Sequence, residues 1–325
     1  MPDPDLASLR RRIRNILILA GLVVALLVIG WQIDPAALPL PAFLWTPTAT
    51  PSITPTPTAS LTPTYTPLPP TSTPLPPTAT PTETLTPTST PLLPEMTDEQ
   101  QVPMVLVPAG SFLMGSEATL DEQPVHEVYL DTFYIDKYEV TNALYKVCVD
   151  AGACPWPTNR DYIRYRRIQN YPVNFVTWEM AKTYCEWRGA RLPTEAEWEK
   201  AAQGQPGWMY PWGNTIDCNR ANYGDCRKGL IAVGKYKLNV SIYGAYDMPG
   251  NAWEWVADWY ASDYYSTLPN GAVNPQGPER GEFKVIRGGS TYTSSFALRI
   301  ASRDYLKPNL SNYDGSFRCA RSVEP

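Results

Sequence analysis

The chain has 325 residues, with 27 Lys+Arg against 32 Asp+Glu, a net charge of −5 and 43% hydrophobic residues. That balance excludes a basic nucleic-acid binder, and the apolar share excludes a wholly disordered chain. The 35 prolines are spread unevenly and divide the sequence into three parts. Residues 1–14 form a polar head that ends in Arg10, Arg11, Arg12 and Arg14. Ile16 to Ile33 follows with Gln32 as its one polar residue. At 1.5 Å rise this run spans about 27 Å, close to the ~30 Å hydrocarbon core of a bilayer. Residues 15–33 therefore read as a transmembrane signal anchor. Arginines before it and none behind orient the head to the cytoplasm and residues 34–325 to the outside of the cell membrane. The competing reading is a cleaved signal peptide, with Pro35-Ala-Ala37 as the cleavage candidate.

Residues 34–94 are Thr/Pro-rich, and Pro39 to Pro94 holds 17 prolines and a single charge, Glu83. Such a segment cannot bury enough apolar surface to offset the entropy of ordering. It reads as a disordered polyproline II stalk, at most about 170 Å long, whose hydroxyls suit O-glycans. Globular character begins at residue 95. Met104 to Met114 reads as two strands around a Pro-Ala-Gly turn, followed by strands over Val125 to Leu130 and Phe133 to Val140. His126, the only histidine, sits in one of these strands and cannot supply a histidine-based metal site. Thr141 and Thr177 are N-caps for helices running to Asp150 and Arg188, and Thr194-Glu-Ala-Glu197 is a capping box. Beyond Ala202 short strands are expected at Ala232–Tyr236, Trp253–Asp258, Lys284–Arg287 and Ser316–Ala320. The pattern predicts one α+β domain over 95–325.

Within that domain, Asp247-Met-Pro-Gly-Asn-Ala-Trp-Glu-Trp255 concentrates large rings, carboxylates and a tight turn. Trp253, Trp255 and Trp259 bury roughly 150–250 Å² each and can seat a core. Asp247, Glu254 and the turn carbonyls form an oxygen-rich loop of the kind that suits calcium. The same stretch, with Arg287-Gly-Gly-Ser290, Gly315-Ser-Phe-Arg-Cys-Ala320, Arg191-Leu-Pro-Thr-Glu-Ala-Glu-Trp-Glu199 and Pro211-Trp-Gly-Asn214, resembles the formylglycine-generating enzyme (sulfatase-modifying factor) family. The five blocks occur in family order and cover the C-terminal two thirds of the chain.

The resemblance implies a compact, loop-rich variant of the C-type lectin fold. It implies a structural calcium held by the Asp247 and Glu254 side chains and the Gly250 and Ala252 carbonyls, with Asp247 in place of the family's usual Asn. A second calcium site falls on Asn222 and Tyr223, with Asp225 and Arg227 nearby, at a spacing shorter than the family pattern. Cys148 with Cys154, and Cys218 with Cys226, bracket short loops that disulfides would close. The resemblance pairs the remaining Cys185 with Cys319.

Family enzymes oxidise a substrate cysteine through two cysteines that hold copper(I), placed just after the Arg-Gly-Gly-Ser block. Here that segment reads Ser290-Thr-Tyr-Thr-Ser-Ser-Phe-Ala-Leu-Arg299, and hydroxyls cannot replace the soft thiolates that copper(I) requires. No copper and no oxidase activity are expected. The leading expectation is a binding module for a protein, peptide or glycan, recognised in a groove of Trp253, Arg287, Ser290, Tyr292 and Thr293. Thr291 to Asn312, rich in Tyr, Ser, Asn and Asp, has the composition of an adaptable recognition surface. The alternative is divergent catalysis around Asp258, Arg299 and Arg303.

Overall fold

The computed structural model describes residues 92–226 and 229–323. The head, the anchor and most of the stalk lie outside the described residues, as does Arg227. Among the described residues no helix is long and apolar enough to cross a membrane.

Hydrophobic alternation builds the strands at the front of the domain. β1 (Glu95–Thr97), β2 (Pro103–Val107) and β5 (Phe133–Asp136) join the C-terminal β11 (Ala320–Ser322) in a sheet of order β1-β2-β5-β11. β3 (Gly110–Met114), β4 (His126–Leu130) and β7 (Ala272–Val273) form a second sheet. β10 (Gly315–Phe317), β6 (Trp253–Trp259), β8 (Lys284–Arg287) and β9 (Arg303–Leu306) form the third, in that order. β10 runs parallel to β6, with Gly315 opposite Trp253 and Phe317 opposite Trp255.

The expected caps form. Thr141 accepts a bond from the Leu144 amide to start α1 (Asn142–Asp150), and Thr177 accepts one from Met180 to start α3 (Trp178–Trp187). A further helix, α2 (Arg160–Arg164), is capped by Asn159 and was not anticipated. The Thr194 capping box closes in both directions and opens α4 (Glu195–Ala201), whose Trp198 is fully buried. A short α5 (Tyr264–Thr267) follows β6.

Three expectations need correction. Residues 232–236 form turns rather than a strand, because Gly234 takes φ +65 and its amide is held by the Asp247 carboxylate. The strand from Phe133 stops at Asp136, where the chain turns so that the Lys137 amide caps the Pro103 carbonyl. The C-terminal strand is broken into β10 and β11, since Arg318 turns inward to bond the Asp136 carbonyl and Glu254.

Two cores result. One packs Val105, Met114, Val128 and Ile135 against Trp198 and Met248. The other packs Tyr145 and Tyr184 against Trp253, Trp255 and Phe317. The cysteines form three disulfides, Cys148–Cys154, Cys185–Cys319 and Cys218–Cys226, and none is free. Cys185–Cys319 pins α3 to the segment between β10 and β11 inside the second core.

Candidate functional site

The Pro249-Gly250 turn and the Arg287–Ser290 loop are zipped together. The Gly250 amide donates to the Gly288 carbonyl at 2.8 Å, and the Thr291 amide to the Asn251 carbonyl at 3.0 Å. Glycine is required at both bends. Gly250 takes φ +88 with any Cβ 2.7 Å from the Asn222 carbonyl, and Gly288 takes φ +93 with any Cβ 2.5 Å from the Met248 carbonyl. Beyond this seam Ser290 donates its hydroxyl to Asp314 at 2.5 Å, and its Oγ accepts from the Tyr292 amide. The Ser290 amide donates to Thr293 Oγ1 at 2.9 Å, which fixes the loop as a compact turn. Trp253 joins the same unit by donating its amide to the Asp314 carbonyl.

Of the five groove residues, Trp253, Ser290, Tyr292 and Thr293 are brought together, and Arg287 is not part of their outer surface. Arg287 is fully buried on the α4 side, paired with Glu195 and Glu199. A guanidinium placed in a low-dielectric interior needs carboxylate partners, and Glu195 and Glu199, four apart on one helix face, supply them. That i,i+4 acidic pair was the signal in the sequence. Trp253 and Ser290 are also buried, so the reachable part of the site is Tyr292, 51% exposed, with Thr293 beside it.

Sequence reasoning missed how that exposed part continues. Tyr292 contacts Tyr313 at 5.7 Å between ring centroids, Tyr313 contacts Tyr162 at 5.4 Å, and Phe175 packs against both Tyr162 and Tyr313. Phe175 holds φ +57, and its amide bonds the Asn312 carbonyl, which ties the α2 region to the loop carrying Tyr313. The long separation from residue 162 to residue 313 hid this row from any local pattern. The recognition segment 291–312 is also not uniformly surface, since Leu298, Ile300 and Ser302 are buried within it.

The loop expected to hold calcium gathers more carboxyl groups than cations. Glu254 receives Arg318 through both oxygens and the Trp198 indole through Oε2. Asp247 accepts the Gly234 amide, and burial pushes its carboxyl up to about 7. Glu139, buried beside both, is pushed well up by burial and then by Asp247, and its Oε2 has no hydrogen-bond partner. Three carboxyl groups thus face one buried guanidinium, and the Asn239 Oδ1 nearby is unpartnered as well. Among the described residues no three acidic, His or Cys side chains converge on a single metal position. A dication here would draw on backbone carbonyls as well as the Asp247 and Glu254 side chains, and the excess of carboxyl groups with the orphaned oxygens fits one. At the second expected site the Asn222 side chain is committed to protein partners. The Asn222 amide nitrogen donates to Gly229 and Asn251, its own carbonyl accepts from Asn251, and Asp225 is exposed.

The residues of the catalytic alternative have structural partners. Asp258 accepts the Glu195 amide, and burial and then Glu195 push its carboxyl up to about 8. Arg303 forks onto Glu195. Arg299 lines a cavity of about 270 Å³ with Trp208 and Met209, but its guanidinium is occupied by Glu122.

Residues 90–323 match the model of the sulfatase-modifying factor enzyme 1-like domain. The chain belongs to this family. This sulfatase-modifying factor domain is 31% identical to the formylglycine-generating enzyme of Streptomyces coelicolor, over 68% of this chain and 89% of that one. It is 38% identical to the serine/threonine-protein kinase pkn1 of Chlamydia pneumoniae, over 68% of this chain. The match spans only 38% of that kinase, little more than a third of its length. The solved structure of PvdO from Pseudomonas aeruginosa superposes with a TM-score of 0.60 at 26% identity, covering 70% of this chain and 98% of PvdO. The mixed helix-and-sheet architecture of the sulfatase-modifying factor domain is thus that of its family.

Proposed function

We propose that this sulfatase-modifying factor domain is a binding module for a protein, peptide or glycan and not a cysteine oxidase. The observation that carries the reading is that all six cysteines are joined in disulfides. No thiolate stands beside the Arg287–Ser290 loop, where Thr293, Ser294 and Ser295 offer hydroxyls only. Copper(I) held by soft ligands needs sulfur. The ligand face is the tyrosine row next to Ser290, exposed at Tyr292 and half-buried at Tyr313 and Tyr162. Flat phenol rings give contact area at low cost in side-chain entropy, and their hydroxyls give direction.

In this reading residues 15–33 anchor the chain in the cell membrane with the head in the cytoplasm, and residues 34–94 hold the domain away from the surface. Calcium, when bound, would be held by Asp247 and Glu254 with the Gly250 and Ala252 carbonyls. It would balance the excess of carboxyl groups and stiffen the turn beneath the ligand face.

The test uses the full chain. Incubated with copper(I), reductant, oxygen and a cysteine-containing peptide, it should leave the peptide mass unchanged. On peptide and glycan arrays it should give binders that the Tyr292→Ala variant no longer retains. Oxygen-dependent conversion of the peptide cysteine overturns the non-oxidase reading. Binding indifferent to Tyr292→Ala overturns the choice of face.

A further inference from the structure

Arg160, Arg164, Arg166 and Arg167 lie within eight positions, and all four are exposed on a chain of net charge −5. None has an ion-pair partner among the described residues, whereas Arg188, Arg287, Arg299, Arg303 and Arg318 each pair with a buried carboxylate. Even toward the surface Arg191 and Arg220 find carboxylates, Glu197 and Asp217, so the four on this segment stand out as unpaired. Desolvation explains the interior pairs.

The unpaired set is partly organised. Arg160 and Arg164, one turn apart on α2, both lie over the Trp156 ring, at 5.7 and 4.9 Å from its centroid. Stacking restrains a guanidinium while leaving its in-plane N–H groups available. From the same helix Tyr162 starts the aromatic row that runs through Tyr313 to Tyr292. An open depression of about 640 Å³ is lined by Tyr162, Tyr165, Arg166 and Arg167, together with Asn159 and one carboxylate, Asp161. Tyr165 is 60% exposed at one end of this surface and Tyr292 is 51% exposed at the other.

We infer that this surface binds an anionic polysaccharide whose sugar rings carry carboxylate groups. The inference rests on the tyrosine row being the ligand face and names the class of ligand. Phenol faces stack on the apolar faces of sugar rings, and a guanidinium takes a carboxylate through two parallel N–H bonds. An open aromatic floor with Arg166 and Arg167 at its rim, and Arg160 and Arg164 on the adjoining helix, presents ring faces and charge. It lacks the enclosed apolar hole that a peptide anchor residue fills. These features favour the glycan over an acidic peptide.

The purified full chain would be titrated with three probes: an oligogalacturonate, its fully methyl-esterified form, and an oligoglutamate of similar charge. Oligogalacturonate should bind, and its affinity should fall as salt rises, because exposed charges are screened. The methyl ester keeps the rings and removes the charge, and should bind at least about tenfold more weakly. The variant R160Q/R164Q/R166Q/R167Q should lose roughly the same factor toward oligogalacturonate and nothing toward the ester, with an unchanged melting temperature. Equal binding of acid and ester overturns the inference, as does tighter binding of oligoglutamate or indifference to the quadruple substitution. A neutral ligand lost with Tyr292→Ala but kept by the quadruple variant would leave the ligand face standing and remove the anionic class. Arginine-dependent binding that ignores Tyr292→Ala would support the anionic class and count against the face.

Discussion

Removing the Cys185–Cys319 bridge should destabilise the domain more than removing either short bridge. The perturbation is the double substitution Cys185→Ala and Cys319→Ala, compared with the equivalent pairs at Cys148/Cys154 and Cys218/Cys226. The three bridges span 134, 6 and 8 residues respectively. A cross-link removes loop entropy from the unfolded chain roughly as 2.1 + 1.5R ln n cal/mol/K, which gives about 5 kcal/mol for the long bridge. The same relation gives about 2.2 and 2.5 kcal/mol for the short ones. Because the third bridge lies within the long loop, it shortens that loop only slightly, a correction under ~0.1 kcal/mol. Cys185 and Cys319 are fully buried in the second core, so lost packing adds to the entropic difference. Urea unfolding of the full chain, followed by tryptophan fluorescence, measures the result, since Trp253 and Trp255 both lie in that core. A long-bridge variant that loses no more than the Cys148/Cys154 variant, at equal urea slope, would refute the argument.

Three further outcomes are expected. Arg287→Met should cost about 3–5 kcal/mol, because Glu199 is left buried without its cation, whereas Tyr292→Ala should change stability by less than ~0.5 kcal/mol; comparable losses in urea unfolding would contradict the separation of scaffold from ligand face. Asp258, with its carboxyl pushed up to about 8, binds its proton more tightly in the folded than in the unfolded state. Its contribution to stability is therefore full in acid and is lost as pH rises toward 8. Asp258→Asn should be at least ~1 kcal/mol more stable than the parent at pH 8 and near parity below pH 4, and a pH-independent difference would count against the shifted carboxyl. Calcium at a hundredfold excess over its dissociation constant should stabilise the domain by about 2.7 kcal/mol. A melting temperature that ignores both calcium and chelator would show that the Asp247–Glu254 loop is held by protein contacts alone.

Local physics was legible in the sequence where a few adjacent residues decide it. The hydroxyls of Thr141, Thr177 and Thr194 cap helices whatever surrounds them, and the β-branched pair Val285-Ile286 favours a strand over Lys284–Arg287. The short disulfides followed from proximity along the chain, and the long one needed the family resemblance. What sequence reasoning missed depends on distant partners. Arg287 reads as a surface cation until Glu195 and Glu199 are seen behind it. Ser316 to Ala320 reads as one strand until Arg318 is drawn inward by Glu254, 64 residues away. Tyr162, Phe175, Tyr292 and Tyr313 come from three separate stretches of chain, so no window of sequence contains the row they make.

The sheet of order β1-β2-β5-β11 places the first and last strands of the domain at its two edges. With neighbouring strands ~4.8 Å apart, the chain arrives and departs only about 14 Å from itself. A unit whose two ends emerge so close together behaves as a cassette: other sequence can be joined to either end, or to both, without threading through the body. That portability fits a family in which a matching stretch fills 89% of one relative and only 38% of another. It also means that whatever is attached through β1 or β11 loads a single sheet, leaving the parallel β10–β6 pair under Ser290 and Trp253 outside the line of strain.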